Sequence, residues 1–489
     1  MKIDSTEAKN QVFSMYIDGN WIGSECKELK KVVNPATHEI VGLIPQGGFY
    51  EAKQAVDAAY QALKQWRNRT AEERSQVLMK WFHLIDECKE EIGKIMTQEQ
   101  GKPIKESIGE VMYANSFISW YAEEGKRIYG ETIPASHPDK RILIRKEPVG
   151  VIAAITPWNF PAAMITRKVA PALAAGCTAV VKPANETPLT ALKLAELAEK
   201  AGVPKGVLNV VTGKSQEIGK AWLNDHRVRK ITFTGSTEVG KVLMKGAAEN
   251  VKKVSLELGG NAPFIVMEDA NLSKAAKGLI NSKFRNAGQT CICTNRIYVH
   301  ESIENEFIEI FKNELEKLKV GNGYEEGTDI GPLIDQAAVD KVKSFIEDAL
   351  LQGGETVYVG TKPESNDGFY YPPTIIRNVH DQMLCVKEEI FGPLAPITTF
   401  KTEKEVIQRA NNTNYGLAAY VFTQNLSRAF HISEELEYGI IGLNDGLPSV
   451  AQAPFGGYKE SGLGREGGYH GIDEYLELKY ISIELNNER

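Results

Sequence analysis

The sequence is poor in cysteine, and its few cysteines follow neither a disulfide nor a metal-binding pattern. Six cysteines in 489 residues are too sparse for a disulfide framework, which a chain of this length does not need. Cys291 and Cys293 are separated by one residue, and no second cysteine or histidine pair completes a zinc site. The eight histidines are scattered as well. We therefore expect a cytoplasmic protein that holds no metal.

The sequence also lacks a basic excess and any long apolar run. The formal net charge is −7, which argues against nucleic acid or an anionic membrane as a partner. Residues 1–14 are polar and have no apolar core of a signal peptide, and no apolar run is long enough to span a membrane. A small anionic substrate is compatible with this charge, because it needs only one or two local cations.

What the chain does have is length and a regular alternation of patterns. Its 489 residues exceed what one hydrophobic core holds, so we expect two or three domains. Apolar runs alternate with helical patterns from residue 150 to 258, which is typical of a doubly wound parallel α/β sheet. A second series runs from Gly260 to about residue 442. The first series predicts strands at 150–155, 178–181, 207–211, 230–233 and 254–258, with helices at 160–175, 188–201, 216–223 and 238–249.

The patterns outside these two series predict a helical layer and added strands. Residues 15–22 have the pattern of a β-hairpin. Residues 127–145 predict a strand pair that leaves the helical layer towards another subunit, and 475–484 predict a strand added to a sheet edge, in cis or in trans. Three helices are predicted, at 52–66, 71–92 and 104–123.

Polar and small residues follow the predicted strands of the first series. Ligands bind doubly wound sheets at the carboxyl ends of the strands, so these residues are candidates for a nucleotide site. They are Thr156-Pro157-Trp158-Asn159, Lys182-Pro183-Ala184-Asn185, Thr212-Gly213, Thr234-Gly235-Ser236 and Glu257-Leu258-Gly259-Gly260. The turn at 234–240 fits a phosphate at a helix N-terminus, but a capped strand-to-helix turn explains it equally well. Residues 462–467 match G-x-G-x-x-G, yet too little chain follows for a βαβ unit, so we predict a loop.

Two residues are candidates for the chemistry. Cys291 follows a turn of small residues, where a thiol can face a cleft; a small buried side chain is the alternative. Glu257 lies between leucines and before two glycines, where burial would raise its pKa towards that of a general base. The alternative, a carboxylate paired with a buried lysine or arginine, is less favoured because the glycines open the backbone beside it.

Five ordered motifs resemble the aldehyde dehydrogenase superfamily, over nearly the whole chain from Val33 to Gly457. They are Thr156-Pro157-Trp158-Asn159, Phe233-Thr234-Gly235-Ser236, Leu256-Glu257-Leu258-Gly259-Gly260, Gly288-Gln289-Thr290-Cys291 and Glu388-Glu389-Ile390-Phe391-Gly392-Pro393. The resemblance implies a doubly wound cofactor domain (1–126 and 148–258), an α/β catalytic domain (259–450) and a small β oligomerisation arm (127–147 and 470–489). A homo-oligomer, dimer or tetramer, is therefore expected.

The same resemblance implies the roles of the site residues. Cys291 is the nucleophile, Glu257 the general base, and Asn159 forms an oxyanion hole with the Cys291 amide. A nicotinamide dinucleotide is expected at a site formed by Thr156, Trp158, Lys182, Ala184, Asn185, Gly213, Thr234, Gly235, Ser236, Leu258, Glu389 and Phe391. Because Glu257 is present, release of a free acid is favoured over acyl transfer to coenzyme A.

Within the superfamily the chain is most similar to succinate-semialdehyde dehydrogenases. In that group two arginines and a serine bind the distal carboxylate, and Arg167, Arg285 and Ser449 match those positions. Taken alone, Arg167 is also compatible with a helix-surface charge, and Arg285 with an ion pair that fixes the cysteine loop. Pro448 departs from the isoleucine expected beside the serine, so a C5 semialdehyde or a broader range is an alternative.

Two further hypotheses concern the cofactor and the second cysteine. Many NAD-preferring relatives carry glutamate where this chain has Asn185; with Lys182 retained, we expect NADP to be preferred, although Glu186 opposes this. Cys293 is a candidate for a reversible disulfide with Cys291, and a small space-filling side chain is an equal alternative.

The sequence thus predicts NAD(P)-dependent oxidation of succinate semialdehyde to succinate, in the context of 4-aminobutyrate degradation. The reaction would pass through a thiohemiacetal and a thioester on Cys291, hydrolysed with Glu257 as base. The alternatives are glutarate semialdehyde, betaine aldehyde or aliphatic aldehydes as substrates, and a non-enzymatic scaffold, which the presence of both residues disfavours.

Overall fold

The computed structural model describes residues 11–23, 28–364 and 367–485 of the chain. Its strands are β1 (Met15–Ile17), β2 (Asn20–Ile22), β3 (Leu29–Val33), β4 (Ile40–Pro45), β5 (Glu131–Ile133), β6 (Lys140–Pro148), β7 (Val151–Ile155), β8 (Thr178–Lys182), β9 (Leu208–Val210), β10 (Val228–Thr234), β11 (Lys253–Glu257), β12 (Ala262–Val266), β13 (Thr294–His300), β14 (Glu355–Val359), β15 (Thr374–Arg377), β16 (Leu394–Phe400), β17 (Tyr415–Gly416), β18 (Ala418–Phe422), β19 (Ile440–Leu443), β20 (Tyr458–Lys459), β21 (Gly462–Leu463) and β22 (Leu476–Glu484). Its α-helices are α1 (Phe49–Arg67), α2 (Ala71–Glu87), α3 (Lys89–Gln100), α4 (Ile104–Glu124), α5 (Ala163–Ala175), α6 (Pro188–Lys200), α7 (Ser215–Asn224), α8 (Thr237–Ala248), α9 (Leu272–Lys283), α10 (Glu304–Leu315), α11 (Gln336–Leu351), α12 (Leu384–Lys387), α13 (Glu403–Asn411), α14 (Leu426–Glu435) and α15 (His470–Asp473).

The first large sheet is doubly wound, as the sequence predicts. Its strand order is β2-β1-β9-β8-β7-β10-β11-β21, and the five strands from β9 to β11 are parallel. From β7 the chain continues to β8 and β9 on one side of the sheet, and from β10 it continues to β11 on the other side. The strand order therefore reverses between β7 and β10. Ligands bind such sheets at this switch point, beyond the carboxyl ends of the strands.

The second large sheet is also mostly parallel. Its strand order is β14-β15-β16-β13-β12-β18-β19, and only β14 at the edge is antiparallel to its neighbour. A run of buried aromatic and aliphatic side chains, including Phe264, Phe307 and Phe311, forms the core beside it. The alternating series after Gly260 therefore builds a second α/β layer, as expected.

A three-stranded antiparallel sheet stands apart from the two layers, with the order β22-β6-β5. The strand expected at 475–484 is β22, and it pairs along its nine residues with β6 of the same chain. The pair expected over 127–145 is present, but its first strand begins later, at Glu131, because residues 125–127 form a 3₁₀ turn. Ile133, Leu478 and Tyr480 are exposed on this sheet.

Two of the sequence predictions are wrong in detail. The helix predicted over 71–92 is two helices, since α2 ends at Glu87 and α3 begins at Lys89 after Cys88. The G-x-G-x-x-G segment predicted as a loop contains the short strand β21, which pairs antiparallel with β11 and closes the edge of the first sheet. The β-hairpin at 15–22 is confirmed as β1 and β2.

Three further points concern membrane spans, the residues outside the described ranges and the domain organisation. No helix in the described part of the chain is long and apolar enough to cross a membrane. Cys26 and most of the polar segment 1–14 lie outside the described residues. The domain boundaries, and the oligomeric role of 127–147 and 470–489, stay predictions.

Candidate active site

The turn that carries Cys291 has an unusual backbone. The sequence predicts a helix over 271–287, but α9 ends at Lys283. Three consecutive residues then take left-handed φ values, Asn286 (52°), Ala287 (55°) and Gly288 (80°). A Cβ on Gly288 would lie 2.3 Å from the carbonyl oxygen of Gly392, so glycine is required there. The left-handed run ends the helical direction and brings the chain back to Cys291 between the two sheets.

Cys291 lies between two cavities and lines both of them. The first cavity has a volume of about 260 Å³ and opens at the carboxyl ends of β7, β10 and β11. It brings together nine of the residues predicted from the sequence: Trp158, Asn159, Thr234, Gly235, Ser236, Leu258, Cys291, Glu389 and Phe391. The sequence did not single out Ala338 and Lys341, which line it from α11.

The wall of this cavity combines aromatic and polar groups. The rings of Trp158 and Phe391 meet edge to face, with centroids 5.7 Å apart. Glu389 accepts a hydrogen bond from the Gly260 amide at 3.1 Å, and burial raises the pKa of Glu389 to about 7. Ser236 caps α8, accepting from the Val239 amide at 3.4 Å. The capped-turn interpretation of 234–240 is therefore observed, and a phosphate site there stays a prediction.

Five predicted cofactor residues do not line this cavity: Thr156, Lys182, Ala184, Asn185 and Gly213. Lys182 Nζ donates to Asn185 Oδ1 at 3.0 Å and to the Pro183 carbonyl at 2.8 Å, and burial lowers the pKa of Lys182 to about 8. Glu186, which could have opposed NADP, pairs with Lys30 at 3.1 Å. Their roles at the cofactor stay predictions.

Gly213 has a packing reason to be glycine. Its φ is 130°, and a Cβ would lie 2.1 Å from the carbonyl oxygen of Gly47. The residue is therefore fixed by the close approach of two backbone segments, whatever it contributes to a ligand.

Glu257 ends β11 as a buried carboxylate. Its Oε2 atom has no hydrogen-bond partner among the described residues. Burial, and then the negative charge of Glu466, raise the pKa of Glu257 well above its usual value. Arg167 and Lys168, which act in the opposite direction, form their ion pairs with Glu466. Among the described residues, no lysine or arginine forms an ion pair with Glu257. The alternative of a carboxylate paired with a buried lysine or arginine is therefore not observed.

Glu466 is a site residue that the sequence did not single out. It is buried, it contacts Lys168 Nζ, and its Oε2 lies 2.8 Å from Arg167 Nε. Burial alone would raise the pKa of Glu466, but the two cations hold it below its ordinary value. Lys168 Nζ also donates to Thr234 Oγ1 at 2.6 Å, which links the cluster to the end of β10. Only the G-x-G-x-x-G match drew attention to this segment, and for a different reason.

Burial opposes ionisation of the Cys291 thiol in this arrangement. Burial raises the pKa of Cys291 to about 12, and Arg167 acts against that rise. Asn159 is buried nearby; one of its Nδ2 hydrogens goes to the Gln289 carbonyl at 3.1 Å, and its Oδ1 has no partner among the described residues. The second amide hydrogen is free for a charge that develops beside Cys291.

The second cavity is narrow and brings all three predicted substrate residues to Cys291. Arg167, Arg285 and Ser449 line it together with Tyr113, Phe160, Met164, Thr290, Ile292 and Phe455. Arg167 is only 2% exposed, so it is not a helix-surface charge, and its Nη2 has no hydrogen-bond partner in the part of the chain described. Its guanidinium lies 3.9 Å from the centre of the Phe455 ring.

Arg285 and Ser449 complete this pocket. Arg285 makes neither an ion pair nor a hydrogen bond with any described residue, and its guanidinium lies 4.8 Å from the centre of the Phe160 ring. The loop-fixing ion pair weighed as its alternative is therefore not observed. Ser449 Oγ lies 2.5 Å from Tyr113 Oη, a partner that the sequence did not reveal.

Cys293, two residues after Cys291, is buried. Its thiol donates to the Lys283 carbonyl at 3.1 Å, and burial raises its pKa while the Lys283 cation opposes the rise. The described cysteines, including Cys291 and Cys293, are all free thiols, so the redox hypothesis stays a prediction.

No group of three or more metal-binding side chains occurs within the described ranges.

Comparison with known proteins gives consistent results. The sequence matches the Aldehyde dehydrogenase family over residues 21–481. A glutarate-semialdehyde dehydrogenase of Pseudomonas putida is 54% identical over 470 residues, covering 96% of this chain and 97% of that protein. A succinate-semialdehyde dehydrogenase of Escherichia coli, named for NADP(+), is 53% identical over 469 residues, covering 96% and 97%. The crystal structure of an E. coli NADP-dependent enzyme has a TM-score of 0.96 at 52% identity and covers 99% of this chain and 100% of that one.

Proposed function

This chain belongs to the aldehyde dehydrogenase family, and we propose that it oxidises succinate semialdehyde to succinate with NADP as its preferred cofactor. As a member of the family it is an NAD(P)-dependent aldehyde dehydrogenase. The observation that carries the substrate proposal is the pair of arginines in the narrow cavity. Arg285 has no ion pair or hydrogen bond with the described residues, and Arg167 keeps one buried donor without a partner. A carboxylate at the far end of the substrate would satisfy both.

The chemistry of these donors fits a carboxylate better than a neutral group. Guanidinium groups bind carboxylates through charge-assisted hydrogen bonds, and an unsatisfied buried donor is costly when the ligand lacks the matching oxygen. Ser449 adds a hydroxyl from the loop after β19. Since Cys291 lines the same cavity, a short chain between the carboxylate and the aldehyde would place the carbonyl carbon at the sulfur.

The proposed reaction begins at Cys291. The thiol loses its proton to solvent, and Arg167 favours the resulting thiolate against the effect of burial. The thiolate adds to the aldehyde carbon, and the carbonyl oxygen becomes the oxyanion of a thiohemiacetal. The Asn159 amide and the Cys291 backbone N–H donate to that oxygen; one such donor is worth about 3–4 kcal/mol in comparable sites.

The first cavity, which we call the cofactor cavity, has features that support binding of a nicotinamide dinucleotide. It lies at the carboxyl ends of a doubly wound sheet, beside the start of α8, and Trp158, Glu389 and Phe391 form its wall. When bound, the nicotinamide would supply the hydride acceptor that leaves a thioester on Cys291. A Cβ on Gly259 would lie 3.1 Å from Glu389 Oε2 and 3.3 Å from Thr237 Oγ1, so a side chain there would crowd this wall.

Glu257 would then release the product. It takes a proton from a water, the hydroxide attacks the thioester carbon, and the Cys291 thiolate leaves as the free acid forms. The buried, unpartnered Oε2 of Glu257 supports this role, because a raised pKa suits a base near neutral pH. Water access to Glu257 thus decides whether the acyl-enzyme turns over.

A substrate panel tests the proposal. Succinate semialdehyde, glutarate semialdehyde, betaine aldehyde and an aliphatic aldehyde are compared by kcat/KM, each with NADP and with NAD. We expect the carboxylated aldehydes, and NADP, to give the highest values. Equal kcat/KM for carboxylated and neutral aldehydes would refute the substrate class, and a strong preference for NAD would refute the cofactor choice.

Glutarate semialdehyde is the second candidate. Pro448 beside Ser449 departs from the residue expected in the succinate-semialdehyde group, and a relative named for glutarate semialdehyde is 54% identical. In the panel, a higher kcat/KM for the C5 than for the C4 semialdehyde would select it.

The oligomeric state, cytoplasmic location and link to 4-aminobutyrate degradation complete the proposal. The exposed apolar side chains Ile133, Leu478 and Tyr480 on the β22-β6-β5 sheet support burial against another copy of the chain. Light scattering of the purified protein tests this; a monomer at all concentrations would contradict it.

A further inference from the structure

The junction between α3 and α4 sends polar side chains into the interior beside the active site. Gln100, Lys102, Glu106 and Glu110 come from this one segment, between the end of α3 and the middle of α4. Lys102 and Glu110 form an ion pair in which each side chain is only 1% exposed. Neither residue lines the cavities that contain Cys291, although Glu110 lines a third cavity together with Glu106 and Arg285. A contact with the reacting end of the substrate therefore does not explain the pair.

Lys102 and Glu110 contact the backbone around Asn159. Lys102 Nζ donates to the carbonyl oxygen of Asn159 at 2.8 Å. The second oxygen of Glu110 accepts from the amides of Ala162 and Ala163, at 2.9 and 3.3 Å, where α5 begins. The pair therefore fixes the backbone from the Asn159 carbonyl to the start of α5.

Gln100 and Glu106 contact the other half of the site through Asn286. Gln100 Nε2 donates to Asn286 Oδ1 at 2.9 Å, and the Asn286 amide donates to Glu106 at 3.0 Å. The Asn286 side chain in turn donates to the carbonyls of Asn159 at 3.1 Å and Gln289 at 3.2 Å. One buried amide thus joins the backbone of Asn159 to the loop that carries Cys291.

Stability alone gives little reason for this arrangement. A buried ion pair loses most of its Coulombic gain to desolvation, and apolar residues of similar size often serve stability as well. Asn286 is also held in the left-handed region, where backbone strain persists only when surrounding contacts enforce it. Strain of this kind is concentrated at functional sites, and here the enforcing contacts to Asn286 come from Gln100 and Glu106.

We infer that Gln100, Lys102, Glu106 and Glu110 are positioning residues that set the distance between the Asn159 amide and the Cys291 backbone N–H. We call them the positioning cluster. The inference rests on the proposed use of these two groups as an oxyanion hole. The cluster acts through Asn159 and Asn286 and does not touch the substrate. A small displacement of one donor is sufficient to weaken a preorganised site, because its hydrogen bond must fit the oxyanion rather than the ground state.

A double variant separates positioning from stability. Lys102→Met together with Glu110→Leu removes both charges, so no unpaired charge is left buried. We expect kcat to fall about 10- to 100-fold, by analogy with misplaced catalytic groups. The KM for the aldehyde and the dissociation constant for NADP should stay within about threefold, because the arginine pocket and cofactor cavity are untouched. Lys102→Arg, which keeps a cation and a donor, should recover part of kcat.

A matched control lies outside the site. Lys193 is 3% exposed and pairs with Glu91 at 2.9 Å on the α3–α6 surface. Lys193→Met should lower the unfolding temperature and leave kcat unchanged. A wild-type kcat in the double variant would overturn the inference, as would a kcat loss that follows the unfolding temperature in both variants alike.

The same measurements distinguish this inference from the proposed function. If the wild-type enzyme prefers another aldehyde, the substrate proposal fails, and the kcat comparison is made with that aldehyde. If Cys291→Ala keeps activity, the nucleophile is wrong and the proposed function fails on its own. A normal kcat in the double variant, with an inactive Cys291→Ala, refutes the positioning cluster and leaves the proposed function intact.

Discussion

Two buried charge clusters flank Cys291, and they differ in what they leave unsatisfied. The Glu257 cluster, which we define as Arg167, Lys168, Glu257 and Glu466, contains buried atoms without hydrogen-bond partners among the described residues, notably Arg167 Nη2 and Glu257 Oε2. In the positioning cluster none of the buried side-chain nitrogen and oxygen atoms lacks a described partner. Each cluster contains one lysine and two glutamates, and the fourth residue is Arg167 in the first and Gln100 in the second. We propose that the unsatisfied hydrogen-bonding groups mark the cluster that contacts substrate and water, and that the fully satisfied groups mark the cluster that fixes geometry.

The largest expected effect tests the open side of this comparison. Glu257→Gln should reduce kcat about 10²- to 10⁴-fold, the usual contribution of a general base. The first turnover should still form an acyl-enzyme, because attack by Cys291 precedes the step that needs Glu257. Rapid-mixing measurement of cofactor reduction would detect one equivalent of reduced cofactor per active site, without further turnover. A steady-state rate close to wild type would remove Glu257 from the mechanism.

The next effect contrasts the two clusters in stability. Lys102→Met leaves Glu110 as an unpaired buried carboxylate, which costs about 3–5 kcal/mol of unfolding free energy. Arg167→Met should cost less, since Glu466 keeps its ion pair with Lys168. Urea unfolding of both variants in parallel measures the difference. Equal losses would mean that the two clusters do not differ in the way proposed.

Arg285 tests whether unsatisfied donors are reserved for the ligand. Arg285→Met should raise KM for succinate semialdehyde about 10- to 100-fold, which corresponds to the loss of a charged hydrogen bond. Neutral aldehydes should be almost unaffected, and unfolding free energy should not fall because Arg285 has no ion pair to lose among the described residues. The matched control is Arg167→Met, which should affect both substrate binding and stability.

The smallest effect concerns the pH dependence of Glu257. The charge of Glu466 raises the pKa of Glu257, whereas the charges of Arg167 and Lys168 lower it. Without the Glu466 charge, the pKa of Glu257 would therefore be lower. The ionised base would then be present at lower pH, so the acidic limb of the kcat profile of Glu466→Gln should move to lower pH. A profile measured from pH 6 to 9 decides this. A shift to higher pH would show that Glu466 acts through packing and not through its charge.

The strand alternation made much of the fold predictable. Strands β7, β8, β10 and β11 lie within two residues of the predicted ranges, because buried parallel strands are short apolar runs bounded by turns. The break at Cys88 was not predictable in the same way. No glycine or proline marks it, and both flanking segments keep a helical pattern, so only tertiary packing separates α2 from α3.

The site was predictable where local motifs carry it. Cys291, Glu257 and Arg167 lie in recognisable segments, and the structure brings them to one place. Glu466 and Lys102 have no such signal, because a single charged residue in a polar segment looks like ordinary surface. Lys102 reaches Asn159 across 57 residues of sequence, and only the folded chain reveals that contact.

The contact between Lys168 and Glu466 also has a consequence for biosynthesis. Glu466 is added to the growing polypeptide 298 residues after Lys168, and β21, which closes the edge of the first sheet, emerges in the same stretch. During translation, Arg167 and Lys168 on α5 are therefore synthesised long before Glu466, the carboxylate with which both form ion pairs. A nascent chain that has not yet reached Glu466 cannot assemble the Glu257 cluster, so the electrostatic environment of Glu257 is completed only once Glu466 has been synthesised.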